Sequence, residues 1–347
     1  MKYEGKMKYF SMFSGIGGFE YGIEKAYNNR GLLQGPSTEN NRGLPNTKGR
    51  QAGAMCVSYS EIDKYASAVY RYHYPRSRNL GDATAINVSD LPDFDLLVGG
   101  FPCQSFSIAG KRKGFNDTRG TLFFEIARIL KHKRPRHFVL ENVKGLLSHD
   151  DGKTFATILG VLSDIGYEYQ WQVLNSKDFG VPQNRERVFI IGNLAGERRP
   201  EVFPIGESIA EDNELQGQNL TANTIRARQD NQTGGSYVVE REQLPQTNII
   251  HNVYGGFNED KPREFHDICP TIRTPKGGGH KRVISGQSIR RLTPIECERL
   301  QAFPDNWTAH GIMDGKQVEI PDTQRYKCCG NAVTTSVITA IIKKLNL

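Results

Sequence analysis

Asp95-Leu96-Leu97-Val98-Gly99-Gly100-Phe101-Pro102-Cys103-Gln104-Ser105-Phe106-Ser107 is the stretch that decides how this chain is read. Asp95 to Val98 reads as a strand buried on both faces. Two glycines and a proline then break it at the sheet's edge, where α/β enzymes keep their ligands. A thiol placed there, on Cys103, is displayed rather than packed. Free cysteine is also among the most buried residue types. A reactive one needs activating partners elsewhere in the chain, so the loop by itself leaves both readings open.

The surrounding sequence supplies the fold. Strand patterns at 7–13, 55–60, 95–99, 137–142, 168–174 and 188–192 alternate with helix patterns that end near residue 27 and cover 64–74, 121–133 and 154–165. Such alternation predicts a doubly wound, mostly parallel α/β sheet with helices on both faces. Residues 28–53, rich in Asn, Gly, Arg and Pro and nearly free of aromatics, read as a mobile surface insertion. After residue 192 the alternation stops, and 193–287 reads as a second, smaller domain. A helix start follows within 290–301, with Thr293 as N-cap, Pro294 in the first turn and Glu296 three residues past the cap. Cys297 on that helix reads as packing.

Composition bounds the class. A chain of 347 residues exceeds what one hydrophobic core usually supports, so one large and one smaller domain are expected. The net charge of +7 suits a polyanionic partner, although many basic proteins touch no nucleic acid. The six cysteines (Cys56, Cys103, Cys269, Cys297, Cys328, Cys329) show no paired metal-ligand spacing. The alpha carbons of adjacent Cys328 and Cys329 lie about 3.8 Å apart, too close for ordinary disulfide geometry. Free thiols in a reducing cytoplasm and no metal are the expectation. The N-terminal residues lack the apolar core of a signal peptide, and no apolar run is long enough for a bilayer, so no membrane partner is expected.

Further motifs follow one another in order. Phe13-Ser14-Gly15-Ile16-Gly17-Gly18-Phe19 puts a glycine-rich turn between a strand and a helix, and such turns let backbone approach a ligand closely. A tight packing turn would look the same. Glu61, in Ser60-Glu61-Ile62-Asp63, stands at the end of the second strand, where nucleotide-binding sheets keep an acid for ribose hydroxyls. An ordinary solvated carboxylate is its other reading. Gly81-Asp82-Ala83-Thr84, the Cys103 loop, Glu141-Asn142-Val143, Gln183-Asn184-Arg185-Glu186-Arg187 and Gly330-Asn331-Ala332-Val333 complete the series.

This ordered set resembles the bacterial and phage DNA (cytosine-5) methyltransferases of the restriction–modification type, over residues 7–192 and 288–340. The resemblance implies a Rossmann-like methyltransferase domain (1–192 with 325–347) and a mixed target-recognition domain (193–324) that includes its bracing helix. It implies S-adenosylmethionine as cofactor, S-adenosylhomocysteine as product and double-stranded DNA as substrate. In that reading Phe13, Ser14, Gly15, Gly17, Gly18, Glu61, Ile62, Asp82, Ala83, Phe101, Pro102, Asn331 and Val333 bind the cofactor. Glu61 faces the ribose and Asp82 the adenine amine, while Phe13, Ile62 and Phe101 pack on the cofactor. A short connection is usual in the family where residues 28–53 stand here. A monomer is expected, with a restriction endonuclease of the same site as partner or, in an orphan or phage-type enzyme, none.

Carbon 5 of cytosine is a poor nucleophile in an intact aromatic ring, and a covalent adduct of a thiolate at carbon 6 turns it into an enamine carbon. Charge then builds toward N3 and O2, so the site needs a proton donor and a cation. Glu141 fits the first if burial keeps it protonated. Arg187, with Arg185, fits the second. The other reading of these three is a structural ion-pair network, which suits Glu186. A duplex substrate implies flipping the base out of the stack. In the family the loop after the nucleophile closes over DNA, which assigns Gln104, Lys111, Arg112 and Arg119 to that contact, with Asn142 as support. A solvated charge run is the other reading of that loop.

Two alternatives of other kinds remain: a transfer-RNA cytosine-5 methyltransferase and a catalytically silent DNA-binding relative. The sizeable domain at 193–287 favours DNA over RNA, and the intact Cys103, Glu141, Arg185 and Arg187 favour activity over silence. Amino-group methyltransferases use an Asn/Asp-Pro-Pro-aromatic loop where this chain has Pro-Cys. Within the second domain, Thr224-Ile225-Arg226 precedes Gly234-Gly235 and Val238-Val239, and Thr271-Ile272-Arg273 precedes Gly277-Gly278-Gly279 and Val283-Ile284. Each half of this echo reads as strand, glycine turn, strand. Arg226 and Arg273 then either read bases in the major groove or hold phosphates.

Overall fold

The computed structural model describes residues 6–27, 53–102, 122–197, 200–205, 236–240, 247–251, 263–266, 269–270, 283–285, 288–290 and 292–347. The expected insertion at 28–53 lies outside them except for Gly53. Contacts divide the chain into two compact units: Met1–Leu174, Glu186–Ile205 and Ile338–Leu347 form the first, and Asn175–Arg185 with Gly206–Val337 the second.

The first half of the chain alternates as expected: β1 (Met7–Met12), α1 (Gly18–Tyr27), β2 (Ala54–Ser60), α2 (Lys64–His73), β3 (Leu96–Gly100), α3 (Leu122–Lys133), β4 (His137–Val143), α4 (Lys153–Asp164), β5 (Tyr167–Asn175), β6 (Gln183–Asn184) and β7 (Glu186–Leu194). Six of these strands form one sheet in the order β2-β1-β3-β4-β7-β5. β2, β1, β3 and β4 pair in parallel, and β7 runs antiparallel to β4. The order reverses between β1 and β3, so their carboxyl ends border a crevice of the kind where open α/β sheets bind ligands. Leu96, Leu97 and Val98 are buried, which explains their unbroken apolar character. Phe10, Met12, Leu97, Phe123, Phe138 and Leu140 belong to the core that holds helix to sheet. α2 starts where Asp63 accepts hydrogen bonds from the Tyr65 and Ala66 amides.

In the second unit, β8 (Ser236–Glu240), β9 (Thr247–His251), β10 (Arg263–His266), β12 (Val283–Ser285) and β13 (Ser288–Arg290) form a sheet in the order β10-β9-β8-β12-β13. β11 (Cys269–Pro270) pairs with β6. The echo's second strands fall on β8 and β12, which pair in parallel with Ile284 opposite Val239. Its first strands lie outside the described residues. Beyond the sheet, α5 (Pro294–Leu300) carries the expected capping box between Thr293 and Glu296. α6 (Asp322–Asn331) and α7 (Thr335–Leu345) close the chain. Among the described residues Cys56, Cys297, Cys328 and Cys329 form no disulfide, and Cys297 is fully buried. Among the described residues no helix is long and apolar enough to cross a membrane.

One buried acid sits under the first glycine turn. Glu20 of α1 is fully buried and accepts a hydrogen bond from the Tyr70 hydroxyl at 3.0 Å. Burial pushes its carboxyl from 4.5 up to about 7, and the same burial raises Tyr9, Cys56 and Tyr70 around it. The folded state therefore holds this proton more tightly than the unfolded chain. Stability should fall as pH rises from 4.5 to about 7 and then level off, by about 3 kcal/mol from this group. Glu20→Gln should flatten that slope when denaturant unfolding is measured at pH 5 and pH 8. Equal slopes in the two proteins would show that Glu20 is not the titrating group.

Candidate functional site

At the carboxyl ends of β1 and β2 the chain makes the glycine-rich turn with Phe13 at φ 54° and Gly17 at φ 87°. A β-carbon on Gly17 would also lie 2.7 Å from the Tyr74 ring, so only glycine suits this turn. The amide of Ser14 donates to the Ser60 carbonyl, which ties the turn to the end of β2. Ser14 and Gly18 are buried. Glu61 follows immediately: its Oε2 accepts the Gly15 amide at 2.8 Å and its Oε1 the Asp63 amide at 2.7 Å. Burial raises its carboxyl above the usual range, with those amides opposing the shift. Beside it Ile62 is 76% exposed, an apolar shelf at a strand end. Asp82 is exposed and caps a short 3-10 turn, Ala83–Ala85, accepting the Thr84 amide at 2.9 Å.

That turn has a support the sequence did not single out. Arg128 of α3 donates to the carbonyls of Ile86 at 2.9 Å and Ala83 at 3.3 Å while pairing with Glu125 at 2.7 Å. A lone arginine on a helix reads as solvated, and only the packing of α3 against residues 83–86 gives it a task.

The second part of the site lies at the ends of β3, β4 and β7. Gly100 stands opposite Glu141 in the parallel ladder. A β-carbon on Gly100 would sit 3.1 Å from Glu141 Oε2, so the glycine leaves room for the carboxylate. Arg187 of β7 reaches across to Glu141, Nε to Oε1 at 2.9 Å, with the side chains 14% and 13% exposed. Burial lowers the Arg187 guanidinium and the Glu141 carboxylate opposes that. The ion pair that the sequence reading held as the less favoured alternative for these two is thus present, and it sets the acid and the cation side by side. Asn142 is buried; its Nδ2 donates to the Phe101 carbonyl at 2.9 Å and its Oδ1 accepts the Val143 amide at 2.8 Å. It therefore fixes the chain at Phe101-Pro102, directly before the expected nucleophile. Phe101 is buried and Pro102 exposed. Glu186 pairs with Lys144 at 2.7 Å, as its structural reading required.

Arg185 belongs to the second unit. Its guanidinium is buried and Nη2 donates to the carbonyls of Gly330 at 3.2 Å and Ala332 at 2.9 Å. Those carbonyls flank Asn331, which is exposed, and Val333 is buried beyond them. The expectation of Arg185 as a cation beside Arg187 thus meets a guanidinium turned onto main-chain oxygens. Cys103, Gln104, Lys111, Arg112, Arg119, Arg226 and Arg273 lie outside the described residues.

Residues 7–346 match the family model of the C-5 cytosine-specific DNA methylases. The chain is 36% identical over 348 residues to the type II methyltransferase M.NgoBI of Neisseria gonorrhoeae, covering 98% of this chain and 93% of that protein. It is 32% identical over 350 residues to the type II methyltransferase M.HhaI of Haemophilus parahaemolyticus, covering 96% and 93%. Among solved structures, the Dnmt2 methyltransferase of S. pombe is similar in fold, with a TM-score of 0.62 at 19% identity over 97% of this chain and 98% of that one.

The Glu141–Arg187 pair carries a stability consequence. Removing one partner of a largely buried pair leaves an uncompensated charge. Arg187→Met should destabilise the protein by about 3 kcal/mol, near the lower end for buried pairs because this one borders a crevice. Combining it with Glu141→Gln should recover part of the loss in denaturant unfolding. Strictly additive losses would mean that the two side chains do not interact in solution.

Proposed function

The chain belongs to the C-5 cytosine-specific DNA methylases, and on that premise we propose that Cys103, Glu141 and Arg187 carry its chemistry. It is a DNA (cytosine-5)-methyltransferase of the restriction–modification type that acts on specific sequences. The observation that carries the assignment is the register that sets Gly100, three residues before Cys103, opposite Glu141, with Arg187 on the same carboxylate.

We assign catalysis and cofactor binding to residues 1–192 and 325–347 and target recognition to 193–324, a functional division that differs at its edges from the division by contacts. The carboxylates of Glu61 and Asp82 and the exposed Ile62 fit S-adenosylmethionine: an acid for ribose hydroxyls, a second for an adenine amine, and an apolar surface for the ring. When bound, that cofactor supplies a methyl group on a cationic sulfur. Phe13, Ser14, Gly15, Gly17, Gly18, Ala83, Phe101, Pro102, Asn331 and Val333 complete its proposed surroundings.

The Cys103 thiolate adds to carbon 6 of a cytosine turned out of duplex DNA, which makes carbon 5 nucleophilic. Glu141 holds N3 and the exocyclic amine, and Arg187 balances charge that grows toward O2. After methylation the carbon-5 proton passes to solvent water, its bonding pair re-forms the carbon 5–carbon 6 double bond, and the carbon 6–sulfur bond breaks to release the thiolate. Asn142 fixes the chain at Phe101, before Cys103, and Arg185 acts as a support through the Gly330 and Ala332 carbonyls. Gln104, Lys111, Arg112 and Arg119 are proposed to contact the DNA. A monomer working in the cytoplasm, with or without a restriction endonuclease of the same site, completes the proposal.

Duplex DNA with 5-fluorocytosine at the target should trap the protein, because fluorine cannot leave as a proton does. Wild-type protein that methylates ordinary DNA yet gives no denaturation-resistant complex would overturn the adduct. Cys103→Ser should abolish turnover and keep cofactor binding.

Arg226 and Arg273 separate two ways of touching DNA. If either reads a base, its alanine variant should relax methylation at one position of the site, at about 1–3 kcal/mol of discrimination. If it holds phosphate, binding should weaken alike on all sequences and its salt dependence become shallower. Neither change in either variant would remove both arginines from the interface.

A further inference from the structure

We propose that Asn79 is a positioning residue of the cofactor site: its side-chain amide fixes the main chain at Glu61 and Gly81, so that the Glu61 and Asp82 carboxylates are presented to one adenosine as a rigid pair. The inference rests on the reading of Glu61 and Asp82 as cofactor ligands and goes beyond it by naming what sets their separation.

Residues 78–80 run beside the end of β2. The Tyr59 amide donates to the Arg78 carbonyl at 3.0 Å, and the Leu80 amide donates to the Tyr59 carbonyl at 2.8 Å. Past this point the Asn79 side chain takes over. Its Oδ1 accepts the Glu61 amide at 3.2 Å and the Gly81 amide at 2.9 Å. Its Nδ2 donates to the Glu61 carbonyl at 2.9 Å and to Ser67 Oγ at 2.9 Å. A primary amide offers two N–H groups and one carbonyl oxygen with two lone pairs, and all four positions are used. The pattern also fixes which end is oxygen, since only that orientation meets two amides on one side and a carbonyl on the other.

The groups so held are the ones that matter for binding. Glu61 is fixed at its main chain by Asn79 and at its carboxylate by the Gly15 and Asp63 amides. Gly81 is fixed at its amide by Asn79 and at its carbonyl by Ser60 Oγ at 2.7 Å. Asp82 follows directly. Eighteen residues separate Glu61 from Asn79 along the chain, so the amide joins two strand-end segments rather than closing one local turn. Burial also raises the Glu61 carboxyl, and a firmly placed main chain is what keeps its amide donors aligned.

The test is equilibrium binding of S-adenosylhomocysteine and of its 2′-deoxyribose analogue, measured by calorimetry on the full chain. Wild type should prefer the ribose form. Asn79→Ala leaves two amides and a carbonyl unpartnered, and should bind S-adenosylhomocysteine about tenfold or more weakly, with the ribose preference largely lost because the two changes act through one contact. Asn79→Asp keeps the acceptors and removes both N–H donors, and serves the same readout should the alanine variant fail to fold, as followed by its melting temperature. Unchanged affinity, or a weaker affinity that keeps the full ribose preference, would overturn the role of Asn79 and leave the cofactor site standing. Wild-type protein that binds neither compound would overturn the cofactor reading, and Asn79 with it.

Discussion

The close approach of β1, β3 and β4 at their carboxyl ends is the constraint on which the site depends. Met12 pairs with Gly99 and Gly100 with Glu141, so the end of β1 and the end of β3 lie side by side while β4 runs on past them to Val143. A β-carbon on Gly99 would stand 2.9 Å from the Met12 carbonyl oxygen, and one on Gly100 3.1 Å from the Glu141 carboxylate. Any larger residue must therefore push the ladder or the acid aside. A slip of β3 by one residue would be worse, because strand side chains alternate and every one would change face. The sequence Gly-Gly-Phe-Pro-Cys thus serves two ends at once: it lets strands approach, and it stops the strand beside the carboxylate.

Two acids of this unit show how partners decide chemistry. Glu20 lies among Tyr9, Cys56 and Tyr70, none of which carries positive charge, and burial raises its carboxyl. Glu141 instead has the Arg187 guanidinium at 2.9 Å. Burial with no cation in reach favours the neutral form of Glu20. The proposed chemistry at Glu141 therefore depends on how a base entering the crevice shares the carboxylate with Arg187. A proton at N3 and a charge near O2 lie on the same heterocycle, and a carboxylate and guanidinium already side by side match them without large rearrangement.

Much of the first unit was legible in the sequence because apolar runs, glycines and caps are local signals. The expected strand at 137–142 is β4 and the expected helix at 64–74 is α2; in the second unit the Thr293–Glu296 capping box stands as read. The direction of β7 was not legible, since a strand buried on both faces has the same apolar pattern whichever way it runs. Side-chain-to-main-chain bonds were the other blind spot. Arg185 sits two residues before Arg187, and the shared spacing suggested a shared task. The carbonyls it holds arrive 145 and 147 residues later in the chain. Asn79 and Arg128 carry no motif at all, and their roles come from loops that only the fold brings beside them.

Recognition of sequence is the part for which local signals gave least, yet the backbone pairing adds one step. The echo suggested two separate hairpin-like units, each with its own glycine turn. The second strands of the two halves, β8 and β12, are parallel neighbours in one sheet. Parallel neighbours run in the same direction, so Ser236 and Val283 begin their strands at the same end of the pair. Arg226 and Arg273 both precede those strands. The pairing of β8 with β12 thus joins the two halves of the repeat in one sheet, a connection that a reading as two separate hairpin-like units does not require.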